Sequence, residues 1–214
     1  MKNIIFLAPP AAGKGTISSA LSEKYGYIHV STGNLLRNVK EKNLASRISS
    51  LLKTGNLLPN EIIYEILDNY IKEIKDKPFI LDGFPRSIEQ VKHLNELIND
   101  LKLPECVVIY LDIDYEKAMT RALGRMICPQ CGRNYNKFIE TTKPKVAYKC
   151  DICKIDLVTR SDDTEETFKI RYNEYLKETY KVVEYYKEKG LLYTIKSVDD
   201  LQSMIDKIIK IVEV

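Results

Sequence analysis

The 214-residue sequence contains no long hydrophobic run. A membrane-spanning helix needs roughly 18 consecutive apolar residues, and no segment approaches that length. The apolar residues 4–7 near the N-terminus are too few for a signal peptide, and a loop follows them where a cleavage site would stand. We therefore expect a cytoplasmic protein without a membrane partner.

Arginine is scarce, and charge of one sign does not dominate. A net charge of +3 is too small to indicate a nucleic-acid partner, and we expect none. Only eight of the 33 basic residues are arginines. Because lysine supplies the ordinary surface charge, the arginines are candidates for forked, bidentate recognition of phosphate or carboxylate groups. They are Arg37, Arg47, Arg86, Arg121, Arg125, Arg133, Arg160 and Arg171.

Short apolar segments alternate with longer segments of helical period. The predicted strands are residues 4–7, 28–30, 79–81, 107–111 and 192–195, and the clearest predicted helices are 62–74, 88–101 and 164–189. This alternation indicates an α/β fold whose parallel sheet is covered by helices on both faces. Two segments interrupt it: residues 31–58 have helical pieces and no strand, and residues 124–161 are rich in loops. We therefore predict a core of residues 1–30, 59–123 and 162–214 with two insertions.

The first predicted strand continues directly into Ala8-Pro-Pro-Ala-Ala-Gly13-Lys14-Gly15-Thr16. Small residues in such a turn leave backbone N–H groups open to phosphate oxygens, and the following helix adds the positive end of its dipole. The layout predicts a phosphate-binding loop. The strict pattern would place glycine at Ala8 and serine or threonine directly after Lys14.

Four of the five cysteines form two Cys-x-x-Cys pairs, Cys128 with Cys131 and Cys150 with Cys153, with 18 residues between the pairs. Two such turns present four thiolates to one ion, at a spacing usual for a tetrahedral zinc site. Iron is the alternative metal. Four protein ligands leave no open position for chemistry, so we expect the ion to stiffen an insertion too small for its own core. Cys106 begins an apolar run and is predicted to be a core residue.

Asp82 follows a buried strand, in the segment Asp82-Gly83-Phe84-Pro85-Arg86. Ligands bind at the carboxyl ends of strands in open α/β sheets, and an aspartate there can hold the water shell of Mg²⁺ beside phosphates. A helix cap followed by a turn is the plainer interpretation.

Three further polar segments are less specific. Residues 31–37 by themselves indicate a helix that begins after Ser31. Arg121 and Arg125, four apart on a predicted helix, share a face and repel unless an anion lies between them. Asp162 and Asp163, which follow Arg160, are typical of acidic residues at a helix start.

The order and spacing of these elements resemble adenylate kinase, of the bacterial type whose long lid carries a zinc site. The resemblance covers nearly the whole chain, from the phosphate loop to Arg171. It implies a phosphate-loop core with a five-stranded parallel sheet, an AMP-binding helical insertion at 31–58 and a zinc-bearing lid at 124–161. The implied reaction is reversible phosphoryl transfer from Mg-ATP to AMP, giving two ADP, by a monomer.

The resemblance also implies roles for individual residues, by matching motif positions. The implied catalytic residues are Lys14, Arg86, Arg125, Arg160 and Arg171. The implied ATP-binding residues are Ala11, Ala12, Gly13, Lys14, Gly15, Thr16, Arg121, Arg125 and Ser197. The implied AMP-binding residues are Thr32, Arg37, Leu58, Gly83, Arg86, Gln90, Arg160 and Arg171. Asp82 would hold Mg²⁺ through water, and Cys128, Cys131, Cys150 and Cys153 would hold Zn²⁺.

The sequence departs from the family pattern at four positions. Ala8 and Ala11 stand where the family has glycine, and we expect both to keep a negative φ so that the loop stays functional. Asn34 replaces an aspartate, which removes a charge but keeps hydrogen-bonding capacity. Near the ATP base, either Ser197 replaces the family's glycine or that glycine is shifted along the chain.

Two other functions stay open at this stage. The nearer is a kinase for UMP or CMP, against which the long lid, Thr32 and Gln90 argue. The more distant is a zinc-ribbon protein that binds nucleic acid, for which residues 133–149 offer basic and aromatic side chains.

An AMP phosphate is already ionised and needs no base, so positioning and charge carry the implied reaction. His29 and His93, outside every matched motif, are therefore predicted to be structural.

Overall fold

The computed structural model describes residues 1–54, 58–160, 162–198 and 200–213. Residues 55–57 of the predicted AMP-binding insertion, residue 161 of the predicted lid, and residues 199 and 214 of the predicted core lie outside the described residues. The described strands of the main sheet are β1 (Asn3–Leu7), β2 (Ile28–Ser31), β3 (Phe79–Asp82), β4 (Cys106–Asp112) and β7 (Leu192–Lys196). They are all parallel, in the order β2-β3-β1-β4-β7. The five predicted strands are confirmed.

The helices within the described residues are α1 (Lys14–Tyr25), α2 (Thr32–Arg37), α3 (Lys42–Thr54), α4 (Asn60–Ile74), α5 (Ile88–Asp100), α6 (Tyr115–Gly124), α7 (Glu165–Glu174), α8 (Tyr180–Glu188) and α9 (Leu201–Val212). A π-helical turn, Tyr175–Thr179, joins α7 to α8, so the predicted helix at 164–189 has a wider turn at its middle. Gly190, at φ 69°, follows its end. In the described part of the chain, no helix is both long and apolar enough to cross a membrane.

The central strand β1 is buried on both faces of the sheet. Ile4 and Phe6 pack in the cluster that includes residues of α1 and α9, whereas Ile5 and Leu7 pack against α4, α5 and α8. Each of these four side chains is at most 2% exposed. Burial of each stabilises the fold by about 1.5–3 kcal/mol, which explains why the strand is apolar throughout rather than alternating.

The predicted lid contains two short antiparallel strands, β5 (Arg125–Ile127) and β6 (Asn134–Asn136). Ile127 exchanges backbone hydrogen bonds with Val158 at 2.8 and 2.9 Å, which closes the segment on itself. Its small core is Met126, Tyr135 and Leu157 together with cysteine side chains. So few apolar residues cannot hold such a segment alone, which favours a cross-linking ion.

One prediction about this region is wrong. Helix α6 ends at Gly124, and Arg125 has an extended backbone (φ −68°, ψ 135°) at the start of β5. Arg121 and Arg125 therefore do not share a helix face. The antiparallel pairing of Arg125 with Asn136 draws the chain out of the helix at this point.

Candidate active site

A cleft lies at the carboxyl ends of the parallel strands β1, β2 and β3. Its wall includes the phosphate-binding loop from Ala8 to Thr16 together with Asp82. Six of the eight arginines also line it: Arg37, Arg86, Arg121, Arg125, Arg160 and Arg171. The parallel sheet brings these positions together because the loops after parallel strands all emerge at the same edge.

The loop after β1 presents Lys14 at the first residue of α1. Gly13 precedes it in the left-handed conformation, at φ 96°, which a glycine adopts without strain. The Lys14 ammonium donates long hydrogen bonds of 3.4 Å to the carbonyl oxygens of Ala8 and Pro9. Burial lowers the pKa of Lys14, and the charges of Arg86 and Arg125 lower it further, against the opposing effect of Asp82. A second anion beside Lys14 would relieve this cost.

The prediction of negative φ holds for Ala8 but is wrong for Ala11, whose φ is 59°. The loop thus has a left-handed turn at this position, and an alanine methyl group occupies it. A side chain in this conformation costs roughly 1–2 kcal/mol, because Cβ approaches the following carbonyl oxygen.

Ala11→Gly should therefore raise the melting temperature. Relief of the strain is partly offset by the greater freedom of glycine in the unfolded chain, so we expect a net gain of about 1 kcal/mol, or about 2–4 °C for a chain of this size. Scanning calorimetry measures it. Ala12→Gly is the matched control, since Ala12 is buried and is expected to lose stability. A fall in melting temperature for both variants would contradict strain at Ala11.

Asp82 lies at the end of β3 with a charged and polar environment. Its Oδ2 is 3.1 Å from Nε2 of His29, which lies on the neighbouring strand β2. Burial would raise the pKa of Asp82, but the hydrogen bond from His29 and the charges of Lys14 and Arg86 outweigh it and lower that pKa. The carboxylate is therefore held ionised, as a partner for a hydrated cation must be.

Two aspartates pair with the arginines of the cleft. Asp163 accepts hydrogen bonds from two nitrogens of Arg125, one of them Nε at 2.8 Å, and lies 3.8 Å from Nη1 of Arg171. Asp162 binds Arg171 and lies 3.5 Å from Nη2 of Arg37. These carboxylates thus bridge arginines from three separate segments. The sequence suggested only acidic residues at a helix start, yet α7 begins later, at Glu165.

The pKa of Arg160 reflects the concentration of positive charge in this cluster. Burial, reinforced by the charges of Arg125 and Arg37, lowers the pKa of Arg160 to about 10. Asp162 and Asp163 only partly offset the effect. Guanidinium groups held this close favour occupation of the cleft by phosphate, which accepts several charge-assisted hydrogen bonds at once.

Arg121 and Ser197 meet at the phosphate-binding loop. Arg121 Nη1 donates to Ser197 Oγ at 2.7 Å, and Ser197 Oγ donates to the carbonyl oxygen of Ala12 at 2.8 Å. Arg121 Nη2 also donates to the carbonyl oxygen of Val198 at 3.0 Å. Ser197 therefore fixes the Arg121 side chain against the loop.

Five of the predicted AMP-binding residues line the cleft: Arg37, Gly83, Arg86, Arg160 and Arg171. The other three, Thr32, Leu58 and Gln90, lie in or beside α2, α4 and α5 and are not among the described lining residues. Thr32 is 5% exposed, and its Oγ1 has no hydrogen-bond partner among the described residues. Gln90 is 1% exposed, and Leu58 is buried in the core cluster on the same side of the sheet. Arg86 Nε donates to the carbonyl oxygen of Gly83 at 2.8 Å, and Arg37 Nη1 donates to that of Gly33 at 3.1 Å.

The two histidines differ in position. His93 lies on α5 and bonds Asp68 of α4 at 3.0 Å, which ties two core helices together. His29, which we also predicted to be structural, lines the cleft and contacts Asp82. The parallel register that brings Ser31 beside Asp82 places His29 at the same sheet edge, a relation that no local motif reveals.

The four lid cysteines converge on one point. Their Sγ atoms all lie within 4.8 Å of one another, and the sulfurs of Cys131 and Cys150 are 3.7 Å apart. Ligands 2.3 Å from a tetrahedral zinc ion lie about 3.8 Å from each other, so the arrangement fits such an ion. Tyr135, on β6, places its hydroxyl 3.5 Å from the sulfur of Cys150.

Together, the fold and the cleft define a class, that of a nucleotide kinase with a phosphate-binding loop. A family profile described as adenylate kinase matches residues 6–191. Relatives with that name are found in Thermosipho africanus, 38% identical over 98% of this chain and 99% of its own, and in Thermotoga neapolitana, 36% identical over 99% and 97%. Another, from Clostridium botulinum, is 36% identical over 96% and 95%.

The chain belongs to the adenylate kinase family. It is thus an enzyme of the kind that transfers a phosphoryl group between ATP and AMP to give ADP. A kinase for UMP or CMP and a nucleic-acid-binding ribbon are not favoured.

Proposed function

We propose that the residues of this cleft transfer the phosphoryl group by position and charge alone. The observation that carries the proposal is the convergence of Lys14 and six of the eight arginines on one cleft. In this assignment Ala11 to Thr16 cradle the ATP phosphates, and Lys14 reaches the outer two. Arg125, Arg160 and Arg171 stabilise the group in transfer, and Arg37 and Arg86 hold the AMP phosphate.

The proposed ATP and AMP sites recognise their bases through different residues. Arg121, fixed by Ser197, would lie against the ATP adenine. The unpartnered hydroxyl of buried Thr32 supports a role in reading the AMP base, because a buried polar atom without a partner costs about 1–3 kcal/mol until a ligand satisfies it. Asp82 would hold the water shell of the Mg²⁺ that accompanies ATP, which neutralises phosphate charge.

Asp162 and Asp163 would act as counter-ions for the empty cleft. They pair with Arg37, Arg125 and Arg171, the same groups that we assign to phosphate. Substrate phosphates would compete for these arginines. The cluster is thereby kept in place without leaving buried positive charges unpaired between turnovers.

We also propose that the domain boundaries follow the predicted ones and that the four-cysteine site binds structural zinc. Residues 31–58 would form the AMP-binding insertion, and residues 124–161 the lid that excludes water during transfer. The 3.7 Å spacing of the sulfurs supports a tetrahedral ion, for which zinc is the usual choice. We propose that the protein acts as a monomer.

A parallel assay tests the substrate assignment. Formation of the nucleoside diphosphate from Mg-ATP should be at least tenfold faster, in kcat/KM, with AMP than with UMP, CMP or GMP. The buried hydroxyl and amide at Thr32 and Gln90 account for this, because a base with the wrong edge leaves polar atoms unpaired. Strong activity with UMP and not with AMP would reverse the assignment. No activity with any monophosphate would overturn the kinase proposal itself.

A further inference from the structure

We propose that Asn60 is a positioning residue. It fixes the base-reading amide of Gln90 and so sets selectivity for the AMP base, although it lies outside the sequence motifs. This inference rests on the proposed role of Gln90. Two hydrogen bonds hold the Gln90 side chain. The backbone N–H of Arg86 donates to Oε1 at 2.7 Å, and Nε2 donates to Oδ1 of Asn60 at 2.8 Å.

The network determines which way the Gln90 amide faces. A backbone N–H can only donate, so the atom beside Arg86 must be the carbonyl oxygen of Gln90. Its NH₂ group then faces Asn60, which must present its own oxygen. Each amide therefore has one orientation. Among the residues that the structure describes, the second N–H and the second oxygen lone pair of this amide have no protein partner, and they offer a ligand a donor next to an acceptor.

The same contacts join the two ends of the proposed AMP site. Asn60 is the first residue of α4, two positions after Leu58, and Gln90 lies in the first turn of α5. Arg86, which we assign to the AMP phosphate, supplies the N–H that holds Oε1. The amide of Gln90 thus connects the segment after β3, at Arg86, to the start of α4. Because Gln90 is 1% exposed, water cannot replace a lost partner.

Substitutions at position 60 separate the hydrogen bond from the shape of the side chain. Asn60→Asp keeps an acceptor of the same size, and an acidic residue suits the first turn of a helix. Asn60→Leu keeps the size and removes the acceptor, and Asn60→Ala serves if the leucine variant does not fold. Asn95→Leu, at an exposed position of α5, is the matched control for the chemical change.

Initial rates should be measured with AMP and with IMP as the varied acceptor, and with ATP varied at saturating AMP. The base of IMP has a donor where that of AMP has an acceptor, and the reverse. We expect Asn60→Leu to raise KM for AMP about tenfold and to lower the preference for AMP over IMP about tenfold, with KM for ATP unchanged. Asn60→Asp and Asn95→Leu should stay within about threefold of the native values.

Three results would overturn the inference. One is a native KM for AMP and native selectivity in Asn60→Leu and Asn60→Ala. Another is a loss in Asn60→Asp as large as that in Asn60→Leu. The third is an equal rise in KM for ATP and AMP together with a lower melting temperature, which indicates a merely structural residue. Failure of the native enzyme to use AMP would instead refute the proposed function, so the two failures are distinguishable.

Discussion

Lys14→Met is expected to lower kcat for ADP formation by about 10³-fold, the loss typical of a donor that stabilises transition-state charge. The ammonium donates to the carbonyl oxygens of Ala8 and Pro9, at 3.4 Å each. Bonds of this length are weak, so phosphate oxygens can replace them at little cost. Methionine matches the length of the lysine stem but cannot supply charge.

The fold should survive this substitution, because burial already lowers the pKa of Lys14 and its charge is not needed for packing. Steady-state kinetics and thermal melting of the same preparation measure both effects. Lys24→Met, exposed near the end of the same helix, is the control and should keep kcat within about twofold. If folded Lys14→Met enzyme, saturated with substrate, kept kcat within tenfold of the native value, the assignment of Lys14 to the ATP phosphates would be contradicted.

Removal of the lid metal is expected to lower the melting temperature by about 10 °C while changing the initial rate at low temperature by less than about threefold. A site loaded at 1,000 times its Kd contributes about 4 kcal/mol, and each kcal/mol corresponds to about 2–4 °C at this chain length. The core of this segment is small, with Met126, Tyr135 and Leu157 as its buried residues beside the cysteines, so it has little else to hold it. Four cysteine ligands would fill all positions around a tetrahedral ion, which would leave none for catalysis.

Both chelation and Cys150→Ser test this expectation. Cys150 is 1% exposed and its sulfur contacts Cys131, Tyr135 and the backbone of Cys153. Cys106→Ser, distant from the cluster, should leave the metal content unchanged. Elemental analysis of the purified protein distinguishes zinc from iron. Complete loss of rate without a change in melting temperature would indicate a catalytic metal instead.

The parts of the molecule that were predictable depend on patterns within a short stretch of chain. The five strands of the sheet are short apolar runs bounded by turns, and each was expected within one residue of its ends. The phosphate-binding loop and the Cys-x-x-Cys pairs have spacings set by local geometry. The convergence of the arginines was expected only through the family resemblance, since they lie on segments far apart in the chain.

The features that the sequence predicted wrongly or missed depend on contacts between segments that are far apart in the chain. Arg125 leaves the helix because it pairs with Asn136, and Asp162 and Asp163 find arginine partners from other segments. Ala11 takes a positive φ within the turn that joins β1 to α1, two strongly packed elements. None of these features changes the periodicity or composition of the sequence.

The sequence by itself therefore determined the class of fold, the phosphate-binding loop and the four candidate metal ligands of this protein. These follow from hydrophobic period and fixed spacing, which act over one or two turns of chain. Only the tertiary structure decided the contact of His29 with Asp82, the paired arginines and the orientation of Gln90 by Asn60. Such contacts join residues that the parallel sheet and its crossovers bring together, and their directions follow from hydrogen-bond partners that lie far away in the chain.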